Sequence, residues 1–375
     1  MQTIAQDWLV LKLTGSGTQL GLISALQFLP ILFFASWGGV IADRFDKRKI
    51  LYYTQAALGL LALILGVVVA LNAIQLWMVY VLALALGFTN ALNNPTRQAF
   101  VFEMVGKDEI QNAVTLNSAQ FNLARALGPA FAGILIATVG LALCFILNGL
   151  SFIAVLIALY MMRKSELSTP PPVPKTEGQV SEGFKYAFST PELAVTLLVM
   201  AIIGTFAYEF SVSLPLFAKF TFNGDASSYA FLTASFGLGA VLGGFFTASR
   251  RQGQHNGLIK SALIFGAAML ILSLAPNLFL ASVALLFVGA MSINLTSLAN
   301  STLQLKSKPE MRGRVLALWT TAILGSTPIG GPIIGFIGEH LTPRWALALG
   351  GAAAVFAAGL GAWYMERKKQ PAPQI

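Results

Sequence analysis

Apolar stretches about as long as a bilayer is thick recur along the whole chain, separated by short basic segments, and no other feature constrains its fold more tightly. An α-helix needs about 20 mainly apolar residues to cross roughly 30 Å of hydrocarbon. Measured against that length, the sequence predicts eleven full spans, near 18–42, 50–71, 75–96, 112–138, 140–162, 192–219, 227–248, 257–275, 278–304, 312–338 and 344–366. A twelfth apolar piece, MQTIAQDWLVLKL, opens the chain. At 1.5 Å per residue it reaches only about 20 Å, so it reads as the second half of a first helix. That implies either an internal methionine taken as a start or a true truncation. A signal peptide fits poorly, since there is no basic leading region and no small-residue cleavage site. The expectation is an all-α integral membrane protein. Only 10% of its residues are charged, against about 25% in soluble domains, and its mean hydropathy is +0.73.

Charge sets the topology. The run LGLISALQFLPILFFASW is followed at once by GGVIADRFDKRK (38–49), with six charges in the seven positions 43–49. If that loop is cytoplasmic, alternation places 20 of the 24 Lys and Arg residues on the same side. Three (Lys12, Lys219, Arg344) lie opposite and Arg125 lies within a span. This is the positive-inside bias, and it puts the C-terminal tail in the cytoplasm. Bases that punctuate apolar runs, rather than gather on one soluble face, exclude nucleic acid as a partner. One cysteine, Cys144, excludes an internal disulfide, and two histidines, His255 and His340, exclude a Cys/His metal cluster.

The longest connection begins RKSELSTPPPVPK, a Pro-rich start that cannot be helical, and GFKYAF at 183–188 has the pattern of a short amphipathic turn on the membrane surface. It divides the chain into a helix bundle at 1–162, a cytoplasmic linker at 163–191, a second bundle at 192–366 and a tail at 367–375. A weak internal repeat supports the division. ARALGPAFAG (124–133) echoes PIGGPIIGFIG (328–338) at an offset of 203, and WGGVIADR echoes LGGFFTASRR at 205.

Twelve helices as six plus six, a central linker, and G-x-x-x-D-R-x-D-K-R between the second and third helices resemble the Major Facilitator Superfamily. WLVLKLTGSGTQLG followed by FLPILFFASWGGVIADRFDKRK looks most like its enterobactin-exporter-like branch, the transmembrane secretion effectors. The loop physics can be read from the residues. Gly39 permits close helix approach, and Asp43, four residues on and so on the same face, stands where it can accept hydrogen bonds from a neighbouring helix N-terminus. Arg44, Lys47 and Arg48 can pair with Asp46 or with anionic headgroups. The resemblance implies that Gly39, Asp43, Arg44 and Arg48 form a latch that closes the cytoplasmic side; topology alone is the plainer reading. In the fifth span, Gly128, Pro129 and Gly133 partly match the superfamily's antiporter pattern G-x-x-x-G-P-x-x-G-G, with Ala124 in place of the first glycine. Pro129 is expected to kink that helix, and Gly128 and Gly133 to allow close packing. The match implies export. An arginine midway along the fourth helix, frequent in drug antiporters, is missing here; Arg97 stands at that helix's cytoplasmic end.

Ionisable groups inside spans are costly and so are functional candidates. Three stand out away from the span ends: Asp7, Arg125 and Glu209. In the resembled fold the first and fifth helices border one cavity, which makes an Asp7–Arg125 pair plausible, either as a proton-coupled switch or as a fixed ion pair. Glu209 is a proton site, a cavity residue for cationic groups, or an acid near the outer surface. Amides at Asn90, Asn93 and Asn94, at Asn117, Gln120 and Asn122, and at Asn294, Asn300 and Gln304 either line a solute path or join helices. Phe121, Phe206 and Tyr208 flank the charges.

These readings predict a monomeric secondary transporter of the bacterial inner membrane, exporting a small amphipathic or siderophore-like molecule by alternating access with proton antiport. Its partners are then the substrate, protons and the lipid bilayer, with no cofactor. No G-x-x-x-x-G-K-[ST] sequence for nucleotide phosphates and no catalytic triad is present, so an enzyme is not expected. The alternatives are an uncoupled facilitator or importer of the same fold, and a non-transporting truncated membrane protein.

Overall fold

The computed structural model describes the chain except residues 107–108, 164–166, 168–178, 250–256, 309–310 and 370–375. The side chains of 35–40, 42–43, 110–111, 114–115, 118–119, 121–122, 125–126, 179–181, 248–249, 324 and 368–369 are likewise outside the described set. Every regular element among the described residues is helical. These elements are α1 (Gln2–Thr14), α2 (Gly17–Arg44), α3 (Lys47–Ala70), α4 (Leu76–Val105), α5 (Ile110–Met161), α6 (Gln179–Ser189), α7 (Pro191–Phe206), α8 (Phe210–Leu216), α9 (Ala226–Ser249), α10 (Gly257–Ser273), α11 (Leu278–Lys306), α12 (Arg312–Leu324), α13 (Thr327–His340) and α14 (Pro343–Lys369). A π-turn, Phe217–Thr221, continues α8.

Local chemistry sets the helix ends. Ser16 Oγ caps α2 through Gln19 N, Asp46 caps α3 through Lys49 N, and Asn277 caps α11 through Leu280 N. Gly15, at φ 64°, ends α1 in the left-handed conformation that costs glycine least. Among the described residues nine helical segments are long and apolar enough to cross a membrane, and α10 is a shorter apolar helix. Bulky apolar side chains such as Phe245, Phe33 and Leu274 face outward, as expected of a lipid-facing surface.

The run Ile110–Met161 is two helices joined at Gly140, whose φ of 81° and ψ of 173° are non-helical, in agreement with the separate spans 112–138 and 140–162. Two departures from the sequence reading matter for the site. The predicted span 192–219 is broken: Ala207 and Tyr208 both donate to Ile203 O, and the ladder restarts from Glu209 O, which accepts from Val212 and Ser213. The predicted span 312–338 is also broken, between Leu324 and Thr327, because Pro328 has no N–H to donate to the residue 324 carbonyl and so cannot join α12 to α13. In the linker, the amphipathic segment is a helix of 11 residues rather than a turn. It is held by the Arg314–Glu182 ion pair at 2.6 Å and by Lys308 N donating to Tyr186 Oη.

In the first half of the chain α2 packs on α4 and α3 on α5, and in the second half α9 packs on α11 and α10 on α14. The halves meet where α2 lies on α13, α5 on α9 and α1 on α8. Small residues let backbones touch. A Cβ on Gly239 would lie 2.0 Å from Leu286 O, and one on Gly289 would lie 2.1 Å from Phe236 O. Gly289→Val is therefore expected to wedge α9 from α11 and destabilise the fold by about 1–3 kcal/mol, the usual cost of overpacking. Thermal unfolding in detergent should show a lowered midpoint; an unchanged midpoint would mean the seam is looser than described.

Candidate functional site

A cavity of about 500 Å³ lies between the two halves of the chain, and both broken helices open onto it. Ser24 and Phe28 of α2, Gly128 and Pro129 of α5, and Tyr229 and Thr233 of α9 form much of its wall. The α7–α8 break contributes Tyr208, Glu209, Phe210 and Ser211, and Thr327 enters from the first turn of α13.

Glu209 is 4% exposed. Its carboxylate rests on the backbone of α13, where a Cβ on Gly330 would be 3.1 Å from Oε1. Thr327 shares the cavity wall with it, and Oε1 is buried without a partner among the described residues. A carboxylate oxygen left so is costly, and a proton or a donor on a bound solute would satisfy it. Asp7 of α1, also 4% exposed, accepts a 2.8 Å hydrogen bond from Tyr229 Oη of α9, which ties the two halves at the cavity wall. Tyr208 Oη donates to Ser292 O at 3.2 Å and accepts from Ser292 Oγ, and its ring stacks on Phe265.

The remaining sequence candidates divide sharply. Gly39, Asp43, Arg125, Phe121, Asn122 and His255 lie outside the described residues or side chains. Of Arg125's neighbours, Ala124 and Gly128 line the cavity. The close packing expected of both antiporter-motif glycines holds at one. A Cβ on Gly133 would lie 2.2 Å from Ala230 Cβ, whereas Gly128 has nothing within 4 Å because it faces the cavity. Asn90, Asn94, Asn117 and Gln120 do not line the described cavity, and Phe206 is half-buried beside it. Asn93 and Asn294 join helices: Asn93 Oδ1 accepts from Thr54 and Gln55, and Asn294 links to Ser261 and Thr247.

In the stretch between α2 and α3, Lys47 and Arg48 have partners other than those expected. Lys47 forms a buried 2.7 Å ion pair with Glu103 of α4. Arg48 donates to Leu159 O at 2.6 Å and Tyr160 O at 2.7 Å, satisfying carbonyls at the end of α5, where a cation is favoured. Arg44 is exposed. Sequence reasoning missed Glu103, Tyr229 and Thr327. The one available signal was the single tyrosine of the eighth span, whose hydroxyl needs a partner when buried away from water.

Helices broken where they face a shared polar cavity, between two packed sets of spans, are an arrangement found in membrane transporters. Solved structures share this architecture. A bacterial homologue of the human lysosomal transporter Spinster, inward-facing and unoccupied, superposes with a TM-score of 0.76 at 15% identity, covering 99% of this chain and 96% of that one. A D-xylose–proton symporter gives 0.75 at 14%, covering 96% and 93%. The chain matches the transmembrane secretion effector family over residues 1–372 and belongs to that family of the Major Facilitator Superfamily. Among curated relatives, the multidrug efflux pump Tap of Mycolicibacterium fortuitum is 25% identical over 358 residues, which are 90% of this chain and 86% of that one. The enterobactin exporter EntS of Escherichia coli O1:K1 / APEC is 26% identical over 335 residues, 88% and 79% respectively.

Tyr229→Phe removes only the hydroxyl that holds Asp7. A buried side-chain hydrogen bond contributes about 0.5–3 kcal/mol, so the variant is expected to be destabilised by that amount and to show a lowered unfolding midpoint. Asp7→Asn in the Tyr229→Phe background should then add less than it does alone, and full additivity would show that the bond contributes nothing. Lys47→Met strands the buried Glu103 carboxylate and is expected to cost about 3–5 kcal/mol, most of it recovered by Lys47→Met with Glu103→Leu. Failure of the double variant to recover in a denaturation assay would mean the pair is not the buried unit described.

Proposed function

We propose that this protein exports a small amphipathic or siderophore-like molecule from the cytoplasm by alternating access, driven by proton antiport. One observation carries the reading: a buried carboxylate with an unpartnered oxygen, Glu209, stands at a helix break facing a cavity of about 500 Å³. That volume lies within the usual range for small-molecule sites, about 300–1,000 Å³. The efflux activities named for Tap and EntS agree with the direction. Counting α5 as two crossings and adding α10 to the longer segments gives eleven crossings besides α1; we read them as bundles at 1–162 and 192–366 with the tail cytoplasmic. We place the protein in the bacterial inner membrane as a monomer.

In this scheme Glu209 takes a proton when the cavity faces outward, which satisfies Oε1 and releases the solute, and it loses the proton to the cytoplasm before the next solute binds. Asp7 acts beside it. Arg125, on the helix whose positions 124 and 128 line the cavity, is the candidate counter-charge for Asp7. At the cytoplasmic end, Gly39, Asp43, Arg44 and Arg48 form the latch that closes that side in the outward-facing state, with Arg48 also bracing α5.

Everted vesicles given a panel of siderophores and drugs, with and without an imposed proton gradient, test the scheme. Parent protein should accumulate at least one compound in a gradient-dependent way, and Glu209→Gln should insert normally but lose the gradient dependence. Gradient-driven export by Glu209→Gln equal to the parent's would overturn the assignment, and transport of any compound that ignores the gradient in the parent would favour an uncoupled facilitator.

A further inference from the structure

The turn between α1 and α2 exposes two helix ends of opposite polarity within a few residues. The C-terminus of α1 presents carbonyl oxygens and partial negative charge, and the N-terminus of α2 presents N–H groups and partial positive charge. Each end is met by a side chain of the opposite charge, and both of those side chains come from the second half of the chain. Lys219, in the π-turn after α8, donates from Nζ to Leu11 O at 2.7 Å. Glu339, in the last turn of α13, accepts through Oε2 from Ser16 Oγ at 2.7 Å, Thr18 N at 2.8 Å and Thr18 Oγ1 at 2.5 Å.

Directly below, the two halves touch backbone to backbone. A Cβ on Gly17 would be 2.6 Å from Gly335 O, one on Gly335 would be 2.2 Å from Gly17 O, and one on Gly21 would be 2.2 Å from Gly331 O. No side chain can enter this seam, so the halves close fully here and the cavity is sealed on this side.

From this matching of charges to helix ends we infer that Lys219 and Glu339 form an outer latch: a two-point clamp from the second half of the protein onto the α1–α2 turn, which holds the outer side shut while the cavity faces the cytoplasm. The inference rests on the alternating-access reading, since a latch has a role only if the outer side opens. The energetics suit a gate. The Glu339 contacts are exposed and the Lys219 contact is only part-buried, so screening keeps their contributions small enough to break in each cycle. A buried pair such as Lys47–Glu103 would be too costly to separate. Lys219 and Glu339 are positioning residues; neither lines the central cavity.

The test uses the full chain with Cys144→Ala and a reporter cysteine in place of Ser24, which is buried beneath the glycine seam. A membrane-impermeant maleimide is applied to right-side-out vesicles, where it reaches the reporter only if the outer side opens, and separately to everted vesicles. Rates are normalised to Ala73→Cys, an exposed position in the outer α3–α4 loop. Glu339→Gln and Lys219→Met should each raise outer labelling about tenfold, the population shift expected from losing one charge-assisted contact, and should lower labelling from the cytoplasmic side. Because each residue answers a helix end rather than the other residue, the swap of Lys219→Glu with Glu339→Lys should open the outer side at least as much as either single change. Unchanged outer labelling, restoration of the parent rate by the swap, or a rise from both sides at once, which marks unfolding, would each overturn the latch. Labelling needs no substrate, so failure of the export assay and failure of the latch are read separately.

Discussion

Inside a bilayer no water is available to satisfy a backbone N–H or C=O, and every other feature of this protein follows from that constraint. It makes the lipid-facing segments helices and forbids irregular backbone against the hydrocarbon. It also restricts where a helix can break: only where protein or a polar cavity replaces the missing partners. The breaks at Ala207–Glu209 and between Leu324 and Thr327 obey it, for both stand at the same cavity. The polar atoms set free there, with the Glu209 carboxylate and the Thr327 hydroxyl, make a site in an otherwise apolar molecule.

The same constraint sorts the charged residues into three depths. In the centre, Asp7 and Glu209 are buried, one held by Tyr229 and the other with an oxygen unsatisfied. At the end of the bundle that carries the α2–α3 loop, Lys47–Glu103 and Arg48 with the Leu159 and Tyr160 carbonyls brace α3 against α4 and α5 within the first half of the chain. At the opposite end, Lys219 and Glu339 reach across from one half to the other. Contacts within a half can persist through a rigid-body movement, while contacts between halves must be made and broken. At the two boundaries burial follows that division, the Lys47–Glu103 pair being buried and the Glu339 contacts exposed, while the buried Asp7–Tyr229 bond also joins the halves at the cavity wall.

Much of this was legible in the residues, and where reading failed the reason is physical. Span positions and the division at Gly140 follow from apolar length, because a hydrocarbon slab imposes one length on every helix. The break in the predicted span 312–338 was within reach, since Pro328 lacks the N–H that continuity requires, yet an unbroken apolar run outweighed it. The α7–α8 break carries no comparable mark, as TFAYEFSV contains no glycine or proline, and only tertiary contact of Glu209 with α13 accounts for its place. Glu209 and Asp7 could be singled out because charge in hydrocarbon is rare. Tyr229 offered only the signal of a lone tyrosine within a span, and Glu103 offered none, reading as a boundary charge until its partner 56 residues away is known.

The central claim is that the two halves rock about the cavity, so that the outer seam seen closed here opens in the working cycle. Distance distributions between spin labels at Ala73 and Pro276, exposed positions in outer loops of the first and second halves, measure this directly in a background lacking Cys144. The account predicts one short distance population at neutral pH without solute, and a second, longer population that grows when the medium is acidified or a transported compound is added. A single unchanged distribution across those conditions, in protein that exports the compound, would contradict it.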